Sequence, residues 1–153
     1  MKLRLSANTR DLAKESTLVV PFLEVPLAES AKLMVRAYEG TVDWEEGDNE
    51  EVALDELHNV IAGKYGEFID RASFAIRSEE KETVAEVICS LLDGIPTILF
   101  IFTAPSHQGK GLAEALIRSA AHAADQQGYQ RLQLFVTASN PAVNLYHRLG
   151  FGQ

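Results

Sequence analysis

The run Pro105-Ser106-His107-Gln108-Gly109-Lys110-Gly111-Leu112-Ala113 carries the clearest chemistry in this chain, because it leaves an apolar strand-like segment and opens a helix-like one. N–H groups at a helix start have no partner inside the helix, and the aligned peptide dipoles favour negative charge there. Two glycines at such a junction therefore make an anion site. Glycine at 109 and 111 removes the Cβ atoms that would hold a phosphate away, and Lys110 adds a positive charge. The common nucleotide loops do not fit. No glycine stands five positions before Gly109, leucine follows Gly111 where a phosphate-loop lysine is required, and Glu114 occupies the third glycine position of a dinucleotide fingerprint.

Other reactive side chains carry weaker signals. His58, His107, His122 and His147 show no metal-ligand spacing, so no metal is expected. The lone Cys89 excludes an internal disulfide and lies in an apolar run, where a thiol acts as a small buried hydrophobe.

The elements that position the glycine loop follow from periodicity. Pro26 followed by Leu27, Ala31, Leu33, Met34 and Ala37 has helical spacing and stops at Gly40. Asp48 or Asn49 can cap a second helix through Val52, Leu54, Leu57, Val60 and Ile61, ending near Gly63 or Gly66. From residue 72 the period changes. Residues 73–76 and 83–92 form a hairpin across a polar turn, Asp93-Gly94 makes the next turn, and residues 97–103 are apolar without alternation, as in a strand covered on both faces. Leu112, Leu116, Ala120 and Ala124 mark a helix face, residues 132–136 a strand, and residues 141–149 a short helix. This order predicts an α/β chain with a mixed sheet and helices packed on it.

Two ordered motifs resemble one family. Gln108-x-x-Gly111-x-Ala113 fits the Q/R-x-x-G-x-G/A motif of the GCN5-related N-acetyltransferases (GNAT), and Asn140-Pro141-Ala142-Val143-Asn144-Leu145-Tyr146-His147-Arg148-Leu149-Gly150-Phe151 is similar to that family's second signature. Together with the strand and helix between them they cover about a third of the chain. The resemblance implies the acyl-CoA N-acyltransferase fold, with a mostly antiparallel central sheet and helices on both faces. It also implies transfer of an acetyl group from acetyl-CoA to a primary amine of a small molecule or protein. By the same resemblance the backbone from Gly109 through Lys110, Gly111 and Leu112 to Ala113 binds the cofactor pyrophosphate and Gln108 closes the loop. The pantetheine arm pairs with the backbone of Ile101, Phe102 and Thr103, where two strands splay apart. Tyr146 lies near the sulfur as general acid and contacts the cofactor, and Asn140 fixes the strand end and touches the cofactor. The family's base is often a carboxylate near the loop joining the first two helices, which here offers Glu39, Asp43, Glu45 and Glu46. Asp43 is nominated because Trp44 beside it can lower the local dielectric.

Composition bounds the partners. With 153 residues and 46% hydrophobic side chains, residues 1–153 suit a single domain. A formal charge of -8 disfavours nucleic acid and anionic membranes, and it fits either plain solubility, the commoner meaning of an acidic balance, or attraction of a cationic acceptor. Residues 18–25 are apolar but broken by Pro21 and Glu24, so neither a signal core nor a spanning helix is expected and the chain is read as cytoplasmic. The family usually continues past its closing glycine-phenylalanine into one or two strands that wall the acceptor site, whereas this sequence stops at Gln153. The wall could come from the segment of residues 3–25, from a second subunit, or be missing. A sheet edge left open there favours a dimer, with residues 17–25 available for pairing and Pro21 confined to an edge. Two other readings fit the sequence: a coenzyme A-binding regulatory module without transferase activity, and an interaction protein working through the acidic helix pair of residues 39–56.

Overall fold

In the computed structural model, which describes residues 2–153, one seven-stranded sheet organises the chain. The strands are β1 (Lys2–Asn8), β2 (Val19–Pro21), β3 (Glu67–Phe68), β4 (Phe74–Arg77), β5 (Thr83–Leu92), β6 (Ile95–Thr103) and β7 (Arg131–Thr137). The helices are α1 (Thr9–Leu12), α2 (Leu27–Tyr38), α3 (Glu50–Ile61), α4 (Leu112–Gln126) and α5 (Val143–Arg148). The strand order is β1-β7-β6-β5-β4-β2, with β3 pairing the far end of β5. Only the β6–β7 pair is parallel, so the sheet is mixed and mostly antiparallel.

Local sequence explains most of these elements. Eight of the ten residues of β5 are buried, which its β-branched and apolar content permits in a strand covered on both faces. The β5–β6 hairpin turns through Asp93 and Gly94 at φ 51° and 78°, matching the hand of twist that joins antiparallel strands tightly. Asn49 caps α3 by accepting the Val52 N–H at 2.9 Å. Helix α4 buries Leu116, Ile117, Ala120, Ala121 and Ala124 along one stripe against β4 and β5, and its small residues allow close approach to the sheet. Helices α2 and α3 pack together, with α2 on the β5–β6 region.

The N-terminal segment departs from expectation. Residues 2–8 form a strand whose alternation buries Leu5 and Ala7 and turns Lys2 and Arg4 outward, a period-two pattern too short and too close to a terminus to stand out. This strand lies antiparallel along β7 from Lys2↔Thr137 to Asn8↔Arg131. It therefore occupies the edge that the sequence reading left open, and the open-edge reason for a dimer is corrected accordingly. Beyond β1, Ser6 and Gly152 exchange two backbone hydrogen bonds of 2.7 and 2.9 Å. Val19–Pro21 pairs with β4 of its own chain, with Pro21 on the edge strand where a missing N–H costs least.

Candidate active site

Strands β6 and β7 are hydrogen-bonded only at Thr97↔Gln133 and Ile98↔Leu134 and then separate. Next to the last paired residue β6 carries a bulge: Ile98 faces Cys89 and Phe100 faces Ile88, leaving Leu99 as the extra residue. A bulge bends its strand, so β6 turns away from β7 at this point. The closed end is pinned by buried Gln133, whose amide nitrogen donates to Thr97 Oγ1 at 2.8 Å while its carbonyl accepts from Arg4 Nε at 2.7 Å.

The splay frees backbone groups. Ala104 N–H donates to the Val84 carbonyl at 2.8 Å, and strand alternation turns the N–H and C=O of Phe102 toward β5 as well. Ile101 and Thr103 therefore point into the gap. Phe102, expected beside them, has its backbone engaged with β5 and its ring buried edge-to-face against Tyr38 at 5.8 Å. The Tyr38 hydroxyl donates to the Ile101 carbonyl at 3.3 Å, filling one of the gap-facing groups.

At the mouth of the gap the chain passes through Gln108 to α4. Gly109 and Gly111 have φ of 75° and 78°, a left-handed conformation that a side chain would strain, and a Cβ at either position would meet no protein atom within 4 Å. The space beyond them is open. The first capped turn is the Ala115 N–H to Gly111 carbonyl bond at 3.1 Å, and among the described residues the N–H groups of residues 108–114 have no protein acceptor. A row of free donors at the start of a 15-residue helix is the geometry that a pyrophosphate fits. Lys110 is exposed and lies outside the cleft lining, while Arg148 lies on the wall within 3.8 Å of Glu114.

A single cleft of about 1820 Å³ connects these parts. Its walls include Gln108, Gly111, Ile101, Tyr146, Asp43 and Asn140, with Lys2 of β1 at the side where the family's extra strands were expected. Tyr146 is 6% exposed, and burial, then the negative charge of Asp43, pushes its phenol up to about 12. Tyr38 is raised further by burial, then by Tyr146 and Asp43, so the three groups form one electrostatic cluster.

Asp43 is the sole member of the acidic loop tied to the sheet. Thr137 Oγ1 donates to its Oδ1 at 2.8 Å and Asn140 Nδ2 to its Oδ2 at 2.9 Å. Glu39 and Glu46 are not among the lining residues, whereas Glu45 lines the outer cleft. The sequence argument chose Asp43 for its neighbour Trp44, but hydrogen bonds from β7 and the turn after it are what hold the carboxylate here. Thr137 and Tyr38 escaped the sequence reading. Their signal was positional, one ending β7 and the other ending α2, and nothing local to either announces the contact. Asn140 Oδ1 accepts the Ala142 N–H at 2.9 Å, an Asx turn just before α5, whose own N-cap is Ala142. Cys89 is fully buried and its thiol is pushed up to about 12 by burial, which makes it inert packing. Among the described residues no three potential ligands cluster around a metal position, and no helix is long and apolar enough to cross a membrane.

Comparison with known proteins bears on the fold and the family. A stretch of 56 residues is 46% identical to the streptothricin acetyltransferase of Streptomyces lavendulae, covering 36% of this chain and 30% of that protein's length. Among solved structures, a GCN5-related N-acetyltransferase from Sphaerobacter thermophilus superposes with a TM-score of 0.73 at 13% identity, over 99% of this chain and 47% of that one. The ribosomal-protein-S18-alanine N-acetyltransferase of Escherichia coli gives a TM-score of 0.64 at 21% identity, over 100% of this chain and 79% of that one. An aminoglycoside 6'-N-acetyltransferase from Acinetobacter haemolyticus gives 0.60 at 21%, over 88% and 90%. These likenesses concern the fold. The sequence profile of the Acetyltransferase (GNAT) family matches residues 34–151, which include the splayed strands, the glycine loop, Asp43 and Tyr146, and the chain belongs to that family.

Proposed function

We propose that residues 1–153 act as a single acetyltransferase domain that moves an acetyl group from acetyl-CoA to a primary amine of a small molecule or protein. One observation carries this reading: a single cleft holds a row of free N–H donors, a splayed strand edge, a buried phenol and an anchored carboxylate.

The N–H groups of Gly109 to Ala113 hold the pyrophosphate, with Gln108 beside them, and the gap-facing backbone of Ile101 and Thr103 holds the pantetheine amides. Bound there, the thioester supplies an activated acyl carbon. Asp43 takes a proton from the ammonium form of the acceptor, whose nitrogen then bonds the acyl carbon directly as the carbon–sulfur bond breaks. The electron pair leaves on sulfur and the Tyr146 hydroxyl protonates it, while the second proton of the attacking nitrogen passes to the resulting phenolate, leaving a neutral amide, a free thiol and a restored Tyr146; Asp43 returns its proton to solvent. A phenol at about 12 is a weak acid, but a thiolate leaving in a partly desolvated cleft is a stronger base than one in water, because burial disfavours the charged form.

Acetyl-CoA should stabilise the fold by roughly 2.7 kcal/mol at a hundredfold excess over Kd, and thiol release should accompany acetylation within a panel of primary amines. Gly111→Val should abolish the thermal shift, because a side chain there strains the backbone and enters the anion space. A shift without thiol release from any amine would make the chain a coenzyme A-binding module. No shift at all would turn attention to the acidic helix pair.

A further inference from the structure

Asn140 was expected to touch the cofactor, but its polar atoms point elsewhere. Its Oδ1 accepts the Ala142 N–H at 2.9 Å, and its Nδ2 donates to Asp43 Oδ2, also at 2.9 Å. Thr137, three residues earlier, donates to the other oxygen of the same carboxylate at 2.8 Å. These two bonds span 94 and 97 residues of chain. They are the only hydrogen bonds among the described residues that run from residues 40–48 to a segment distant in sequence, since the remaining bonds of that loop stay within it or reach its flanking residues Tyr38 and Asn49.

The turn after β7 thus has two ends. Through Ala142 it sets the start of α5, which carries Tyr146, and through Asn140 Nδ2 it orients Asp43 on the opposite wall. A carboxylate accepts about four hydrogen bonds, so two donors fix its plane and leave lone pairs free for a proton from the cleft. We infer that Asn140 and Thr137 are positioning residues that aim the Asp43 carboxylate into the cleft and couple it to the element bearing Tyr146. This rests on the reading of Asp43 as the base, and it moves Asn140 from the cofactor to the acceptor side of the reaction.

The informative variant is Asn140→Asp. It keeps an oxygen to accept the Ala142 N–H, so the turn before α5 survives, but it removes the donor to Asp43 and sets a second carboxylate against the first. Around this pair stand Tyr38 of α2, Tyr146 of α5, Lys2 of β1, and Glu45 and Asp48 of the same loop. Two carboxylates this close share a proton, so the acid limb of the kcat/KM profile should move to higher pH. Thr137→Val removes the other donor at nearly constant shape and should lower kcat about 10- to 100-fold with the Kd for coenzyme A unchanged. In an Asp43→Asn background, Asn140→Ser, whose hydroxyl oxygen can still accept the Ala142 N–H, and Thr137→Val should each change kcat by less than about twofold, because there is no longer a carboxylate to aim.

Three outcomes overturn the inference and are distinguishable. A raised Kd for coenzyme A in the Asn140 variants, with an unmoved acid limb, returns Asn140 to the cofactor. Full additivity with Asp43→Asn shows that both residues act independently of Asp43, while the base assignment stands. An unchanged kcat in Asp43→Asn itself removes the base assignment and the positioning role with it.

Discussion

Tyr146 shows how one residue's surroundings set its chemistry. Its ring packs edge-to-face on Phe151 at 6.0 Å, which holds the hydroxyl in the cleft, and the charge of Asp43 adds to burial in keeping the proton on oxygen. A phenol pushed up to about 12 stays protonated through neutral and mildly alkaline solution, so it remains a competent acid across that whole range. Tyr146→Phe should lower kcat by about 10² to 10⁴ with coenzyme A affinity kept, since only a proton used in the transition state is lost. The parent's kcat should show no alkaline limb from this group below about pH 10 in a stopped-flow or thiol-release profile. An unchanged kcat in the variant would reduce Tyr146 to a packing residue.

At the scale of elements, β5 contains a group that the reaction does not use. Glu86 is fully buried between α2 and the sheet, accepts one bond from Ser30 Oγ at 2.9 Å, and leaves Oε1 without a partner. Burial raises its carboxyl from 4.5 to about 8, the Ser30 bond and Arg77 opposing and Glu29 assisting. The folded state therefore holds a proton that the unfolded chain releases at ordinary carboxylate pH. The stability this contributes is complete below about pH 4.5 and is lost as pH rises through about 8. Glu86→Gln should accordingly gain on the parent by up to roughly 1.4 kcal/mol per pH unit across that window and level off above it. Urea melts of both proteins from pH 5 to 9 test this, and parallel curves would show that the carboxyl is ionised in the folded state. Helical and hairpin elements followed directly from residue spacing, as in the Asn49 cap and the Asp93-Gly94 turn. The short pieces β1, α1 and β3 did not, because two to seven residues offer too few periods and draw their stability from neighbours.

For the molecule as a whole, β1 is the piece that closes the sheet. Laid along β7, it brings Arg4 onto Gln133 at the closed end of the splay and Lys2 to the cleft at the other. Leu5 is wholly buried in the shared core, whereas Leu18 is 64% exposed. Leu5→Ala should cost about 2 to 5 kcal/mol in chemical denaturation, and Leu18→Ala should stay within about 0.5 kcal/mol. Equal effects would mean that β1 contributes little to the core. The dimer expected from an uncovered β7 edge loses that argument. The outer edges of the sheet are now β1, partly taken by Gly152, and the short β2 with its Pro21.

By itself the sequence determined the order of the long elements and the glycine turn at residues 108–113, which depend on residue types a few positions apart, where sterics, capping and period act locally. Tyr146 as candidate acid came from the resemblance of residues 140–151 to the family's second signature. The family resemblance offered four carboxylates of one loop as candidate base, and the sequence singled out Asp43 only for its neighbour Trp44. Which of them is tied to the sheet depends on Thr137 and Asn140, more than ninety residues away. The same holds for the bulge at Leu99 that opens β6 from β7, for the turning of Phe102's backbone toward β5, and for the strand that covers β7. Those were decided by tertiary structure, because register and long-range hydrogen bonds exist only once distant segments have packed.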